Sequence, residues 1–455
     1  MIKQNYRFPI IEILAAILTQ SVAIFAADSA AISPHPALIP LPAKVEWRDG
    51  VLAADGAIRR DHVASLPAEG YEIEIAATGA VVRSSSDAGA FYAEQTLKQL
   101  RAADGSWPCV SIHDEPCFVW RGFMLDVSRH FFDKPTILRL LDRMAALKLN
   151  RFHLHLTDDQ GWRLAIEKYP ELTQTGARGN YSDPDAPPRF FTKSEMLEII
   201  SYAAQRHIVV VPEIDMPGHS HAATHTFPNL NGGANTLNPA SPATYEFTQN
   251  VLLDVMDIFP SPWIHVGGDE VNAGAWKNNS IVVNQMQAEG IMDPQQLKSY
   301  FMRRISKVVE EHGRTPAVWH EALATEPDTN TVIFLWRAYP ATLKKALETG
   351  HSVVLTPSVP FYLSARAKDS SGNPTVRNTL EDVYRGTPLL TNVPPAQLKQ
   401  ILGLQACVWT EHIATVPELE AIIMPRLAAM AEAAWTPADR KDFADFNGRL
   451  HAHLE

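Results

Sequence analysis

The sequence predicts an α/β protein whose main body is a (β/α)8 TIM barrel preceded by a small α/β domain. Three observations carry that expectation. From Phe118 onward, eight short apolar runs alternate with amphipathic helical stretches, the pattern of a parallel sheet built from strand–helix units. Polar and aromatic residues follow nearly every run: Arg129, Asp158, Asp215, Asp269, Glu270, Trp319, Trp336 and Glu411. In a closed barrel all strand ends converge on one mouth, whereas an open doubly wound sheet confines ligand chemistry to a switch point. Finally, 455 residues, 46% of them hydrophobic and 20% charged, suit one large globular domain and a smaller one.

The chain begins with Lys3 and Arg7, then runs apolar from Pro9 to Ala27 with polar breaks at Glu12, Thr19 and Gln20. Small residues follow at Ser21, Ala23, Ala26, Ala27 and Ala30. Residues 1–27 therefore read as a cleaved export signal, which places the protein in the periplasm or outside the cell. The polar breaks weaken the rival reading of a membrane-spanning helix. Residues 28–42, rich in Ala and Pro, read as a linker. A small α/β domain is expected over 43–117, with strand-like runs such as Tyr71–Ile75 and a helix over Ala88–Leu100.

The barrel is expected over 118–440. Its strands are predicted at Gly122–Asp126, Arg151–Leu156, Ile208–Glu213, Trp263–Val266, Thr315–Trp319, Val332–Trp336, Ser352–Thr356 and Leu402–Val408. Helices are predicted at Pro135–Lys148, Lys193–Gln205, Ala243–Ile258, Gln295–Glu311 and Ala341–Thr349. Thr192 and Glu195 have the spacing of a capping box, and Pro135 suits a first helical turn.

A net charge of −11 argues against nucleic acid and against a basic membrane-binding patch. Cys109, Cys117 and Cys407 lack zinc-site spacing. Cys109 and Cys117 are open to two readings, a bridge formed in an oxidising compartment or buried free thiols.

The densest chemical signal is Trp263-Ile-His-Val-Gly-Gly-Asp-Glu270. An apolar strand runs into two glycines, which let the backbone bend and a ligand approach, and then into two adjacent acids. Neighbouring side chains on an extended strand point to opposite sides. Such a pair cannot flank one bond from both sides as the two carboxyls of an ordinary retaining glycosidase do, about 5–5.5 Å apart. One acid reaches a leaving oxygen while the other sits beneath the sugar. Three further polar blocks follow earlier strands: Asp126-Val-Ser-Arg129-His130, His153-Leu-His155-Leu-Thr-Asp158-Asp159-Gln-Gly-Trp162, and Pro212-Glu213-Ile-Asp215-Met-Pro-Gly-His219.

Taken together, these four blocks resemble the N-acetyl-β-hexosaminidases of glycoside hydrolase family 20. The resemblance covers the barrel from about Trp120 to Trp435 and, more weakly, the small domain before it. It implies an exo-acting enzyme whose substrate supplies its own nucleophile, the acetamido oxygen. It implies Glu270 as general acid/base and Asp269 as the residue that orients and stabilises the 2-acetamido group. Arg129 and Glu411 match residues that bind sugar hydroxyls. Asp158 and His219 match partners coupled to the acid/base, and Asp215 an acid supporting them. Trp319, Trp336 and Trp409 match aromatic walls, and Tyr362 the tyrosine that hydrogen-bonds the acetamido carbonyl. Family members usually carry Asp or Asn two residues after that tyrosine. Here Ser364 stands there, which puts fine substrate preference at issue rather than reaction class.

This chemistry needs Glu270 protonated at the start, by burial and neighbouring carboxylates, and Asp269 ionised. His130, His153 and His155 are expected as core or supporting residues. The rival functions are a metal-dependent barrel hydrolase, suggested by His153 and His155 alternating on one strand, and a carbohydrate-binding protein without catalysis. No nucleotide, flavin or metal motif stands out, so no cofactor and no metal are expected. The expected partner is an oligosaccharide or small-molecule glycoside, with no nucleic acid and no stable membrane insertion.

Overall fold

The computed structural model of the protein describes residues 35–288, 290–291, 293–368 and 374–454. The predicted export signal lies outside the described residues. The amino-terminal domain is a five-stranded sheet: β1 (Lys44–Leu52), β2 (Ile58–His62), β3 (Tyr71–Ala76), β4 (Gly79–Ser84) and β5 (Trp107–Asp114), in the order β1-β5-β3-β4-β2. Its single helix, α1 (Asp87–Leu100), is capped by the Ser86 hydroxyl, which accepts from the Gly89 N–H. Alternation sets the sheet's faces: Tyr71, Ile73 and Ile75 are buried under α1 while Glu72 and Glu74 point away.

The expected linker is partly a docked segment. Leu38 and Ile39 are buried, and the Ile39 and Leu41 N–H groups donate to Gln99 and Glu432. Composition missed this because two apolar residues suffice to anchor a Pro-rich segment against a preformed core. The three cysteines are free, with Cys109 buried and Cys117 exposed. That overturns the bridge and also the picture of three buried thiols.

All eight predicted barrel strands form: β6 (Trp120–Asp126), β7 (Arg151–His155), β8 (Val209–Met216), β9 (Trp263–Gly267), β10 (Thr315–Trp319), β11 (Val332–Leu335), β12 (Val353–Leu355) and β13 (Ile401–Val408). Each pairs in parallel with its sequence neighbour, and β13 closes on β6. Strand periodicity divides the core in two. Met124, Val211, Ala317, Trp319, Phe334, Val354 and Cys407 fill the barrel, while Phe123, Leu125, Phe152, Leu154 and Ile333 pack outward on the helices.

The predicted helices appear as α2 (Lys134–Ala146), α3 (Lys193–Ala204), α4 (Pro242–Ile258), α5 (Pro294–Glu311) and α6 (Pro340–Glu348). The Thr192–Glu195 capping box is formed, and Pro135 lies in the first turn of α2. Among the described residues no helix is long and apolar enough to cross a membrane. In the parallel register Glu213 of β8 stands level with His155 of β7 and His265 of β9, which places one acid among imidazoles inside the barrel just below its mouth.

Candidate active site

The mouth is assembled from strand ends. At the end of β6, Asp126 accepts the backbone N–H groups of Ser128 and Arg129 through one oxygen, at 2.8 and 3.0 Å, and that of Thr410 through the other, at 3.1 Å. This buried carboxylate bends the loop and turns Arg129 inward. The Arg129 guanidinium lies 2.7 Å from Asp158 and 3.3 Å from Asp126, donates to Gln160, and covers the Trp409 ring at 5.1 Å. One face is thus fixed by acids and an indole before any ligand enters.

Beyond β7, Asp158 is buried and fully committed. One oxygen accepts from Asp159 N–H at 2.6 Å and faces His219 Nδ1 at 3.1 Å; the other faces His155 Nε2 at 2.9 Å and Arg129. Burial alone opposes its charge, but Arg129 and then His219 hold it well below the usual carboxylate range. His219 in turn lies 3.6 Å from Asp269 and 3.9 Å from Glu270. Burial favours its neutral ring, yet Asp158, then Asp269 and Asp215, push it up to about 12. It is an imidazolium at neutral pH.

The two acids do not splay as an extended strand would require. Gly267, Gly268 and Glu270 take φ values of +72°, +92° and +44°, so the chain turns sharply as β9 ends and both carboxylates reach His219. A β-carbon on Gly267 would lie 1.7 Å from Asp215 Oδ1, which explains the glycine. Expected burial of Glu270 is also corrected: its side chain is 53% exposed, against 12% for Asp269. Glu270 stands at the rim, 3.9 Å from Arg337, where an incoming or departing group meets solvent. Asp215 lies beneath them and accepts from Gly268 N–H at 3.3 Å. Burial and the nearby Asp269 charge raise its pKa well above the usual carboxylate range.

Aromatic residues wall the other side. Trp336 and Tyr362 are near-parallel, 19° apart with centroids at 6.1 Å, and Trp409 lies 5.8 Å from Tyr362. Trp319, expected as a wall, lies deeper than the other rings. It is 1% exposed, and its indole N–H donates to Glu213 at 2.7 Å, so it forms the floor against Trp409. Ser364 spends its hydroxyl inside the wall, accepting from Trp409 N–H at 2.9 Å. Glu411 is near Arg129, its pKa raised chiefly by burial.

Sequence reasoning missed Glu321. It accepts the Trp336 indole N–H through both oxygens, at 3.1 and 3.0 Å, and burial followed by the Asp269 charge pushes it up to about 7. Its position two residues after the strand-end Trp319 was the available signal. Glu213 and His265 were likewise not singled out as a network. Among the described residues, three groups have ligand atoms near enough to hold a cation: His153–Glu213–His265, His155–Glu213–Asp215 and Asp158–Asp215–His219. Their residues already stand at ion-pair distance, 2.9–3.1 Å for the His153–Glu213, His265–Glu213, His155–Asp158 and His219–Asp158 pairs, so the donor set fits a closed ion-pair cluster better than a coordination sphere.

Residues 118–438 match the family model described as glycosyl hydrolase family 20, catalytic domain, and residues 41–115 match domain 2 of the same family. The chain is 36% identical over 421 residues to a beta-hexosaminidase of Porphyromonas gingivalis, covering 86% of this chain and 54% of that protein. It therefore spans about half the length of that relative. It is 31% identical over 442 residues to a beta-hexosaminidase of Akkermansia muciniphila, covering 92% and 90%. The crystal structure of a GH20 exo beta-N-acetylglucosaminidase from Vibrio harveyi, in complex with N-acetylglucosamine, superposes with a TM-score of 0.87 at 30% identity, covering 94% of this chain and 78% of the other.

Proposed function

The chain belongs to glycoside hydrolase family 20, and from that premise we propose that it is an exo-acting β-N-acetylhexosaminidase that removes terminal non-reducing N-acetylhexosamine residues with the substrate's acetamido oxygen as nucleophile. The observation that carries the mechanism is Asp269 Oδ1, a buried carboxylate oxygen with no hydrogen-bond partner among the described residues, beside a rim acid that is half exposed. A buried acceptor left open costs stability. It suits the acetamido N–H, whose positive charge grows as its oxygen attacks the anomeric carbon. Glu270 gives its proton to the glycosidic oxygen as that bond breaks. It then takes a proton from the water that opens the cyclic oxazolinium-type intermediate. Two inversions at one carbon give net retention.

The walls fit this division of labour. Trp336, Tyr362 and Trp409 offer faces and polar edges to a sugar and its N-acetyl methyl, and Arg129 and Glu411 offer charge to hydroxyls across the ring. With Ser364 turned into the wall, selection of the sugar at that edge rests on other groups. Chitooligosaccharides and glycan termini carry the required unit, and the apolar run at Pro9–Ala27 supports export to the periplasm or beyond, tested by sequencing the amino terminus of the mature protein.

The test is hydrolysis of an aryl N-acetyl-β-glucosaminide. Glu270→Gln and Asp269→Asn should each lower turnover by more than about a hundredfold, the plain aryl glucoside should not be cleaved, and proton NMR should first show the β-anomer. Full activity in Glu270→Gln, or an initial α-anomer, would refute the reading.

A further inference from the structure

The proposed reaction assigns nothing to the acid at the centre of the barrel. Glu213 is fully buried. A carboxylate there is tolerated only when paired and hydrogen-bonded. Three imidazoles surround it: His155 Nδ1 and His153 Nε2 on one oxygen, His265 Nδ1 on the other, where the Trp319 indole N–H also donates. They are not equivalent. Burial pushes His153 down to about 4, so that ring is neutral. Burial opposes charge on His155 as well, but Glu213 and then Asp158 override it and raise this ring well above its ordinary value. His155 is thus a cation between two carboxylates, and its far nitrogen reaches Asp158 at 2.9 Å.

A continuous chain of alternating charge follows: Glu213, His155, Asp158, then His219 and Arg129. It runs from a rigid strand interior, where register fixes Glu213 level with His155, to the two groups that touch the acid pair and the sugar side. We propose that Glu213 and His155 are positioning residues for hydrolysis: a buried ion pair that anchors Asp158 and, through it, both Arg129 and His219. The proposal rests on the hexosaminidase reading. A hydrogen bond from a charged donor is roughly twice as strong as one from a neutral donor, so Asp158 is held more firmly while His155 carries two protons.

The pair can be tested without breaking its geometry. Glu213→Gln keeps the shape. Its amide oxygen accepts from Trp319, and one N–H can donate to His155 Nδ1 once that ring is neutral; His153 Nε2 keeps its own proton, because His153 Nδ1 faces the Gln405 amide N–H. Without the anion, His155 loses the partner that holds its second proton. The groups that still face it are Asp158 and Asp215, with the Trp409 ring against its edge; Arg129 and His219 lie across Asp158, and His153 and His265 across residue 213. The ring then titrates in the working range, charged at low pH and neutral at high pH.

The measurement is kcat/KM for the aryl N-acetyl-β-glucosaminide from pH 5 to 8, variant against wild type. The ratio should be near one at pH 5 and fall about tenfold by pH 8, the factor expected for exchanging a charged for a neutral hydrogen bond. A ratio that is constant across pH, or undiminished activity throughout, would overturn the proposal, since a merely structural role changes the folded amount and not the profile. Should the variant not fold, neutron diffraction from wild-type crystals at pH 7 decides: deuterons on both His155 nitrogens are expected, and a single one overturns it. Wild type that fails to cleave the substrate would sink the hexosaminidase reading instead, and the neutron result would still decide the ion pair.

Discussion

At the scale of one residue, Glu321 shows how a site acid can carry a stability signature. It is largely buried, it holds the Trp336 indole, and its pKa stands at about 7 against an ordinary 4.5. Between those values the folded state holds a proton that the unfolded state has released. Stability therefore falls as pH rises from about 4.5 and levels off above about 7, a swing of about 3 kcal/mol by linkage. Glu321→Gln keeps an acceptor for Trp336 and removes the titration. Urea midpoints measured at pH 5 and pH 7.5 should show wild type losing stability relative to the variant as pH rises. Parallel changes in the two proteins would show that Glu321 is ionised normally.

At the scale of an element, the turn that ends β9 matters more than the strand itself. Gly267 has φ +72°, and a β-carbon there would strike Asp215. Gly313 has the same φ of +72° with nothing within 4 Å of a β-carbon, so it isolates backbone strain from collision. Gly267→Ala should lower kcat/KM by about a hundredfold or more, because Asp215 and the acid pair shift by a fraction of an ångström or more. Gly313→Ala should cost about 1 kcal/mol of stability and leave kcat/KM unchanged. Equal kinetics in both variants would mean that the turn does not set the acid pair.

At the scale of the whole molecule, the small domain is held to the foot of the barrel by buried charge. Lys148, at the α2–β7 corner, pairs with Asp114 of β5 at 3.1 Å and donates to the Tyr71 hydroxyl, while Trp435 near the carboxyl end donates its indole N–H to the same Asp114. Arg121 reaches across to Glu69 in the same way. Lys148→Met would leave Asp114 buried without its cation, a loss of about 3–5 kcal/mol. The substitution lies at the end of the barrel opposite the mouth. A marked drop in Tm with unchanged kcat/KM at low temperature is expected, and altered kinetics at full folding would show that the docked domain shapes the site.

The eight strands, the main helices and the order of the polar blocks were legible because each is written locally. Apolar alternation, helix caps and residues that follow a strand end depend only on near neighbours in the chain, and a closed barrel is the architecture that makes all those ends meet. Asp269, Glu270, Arg129 and the tryptophans stood out for the same reason. What the chain did not reveal depended on pairing between distant strands. Register set Glu213 beside His155 and His265; a left-handed turn brought two neighbouring acids onto one histidine; and packing sank Trp319 into the floor and left Glu270 at the rim. Charge states were decided at the same level, since a carboxylate or imidazole takes its proton affinity from burial and from charges that only the fold places within a few ångströms of it.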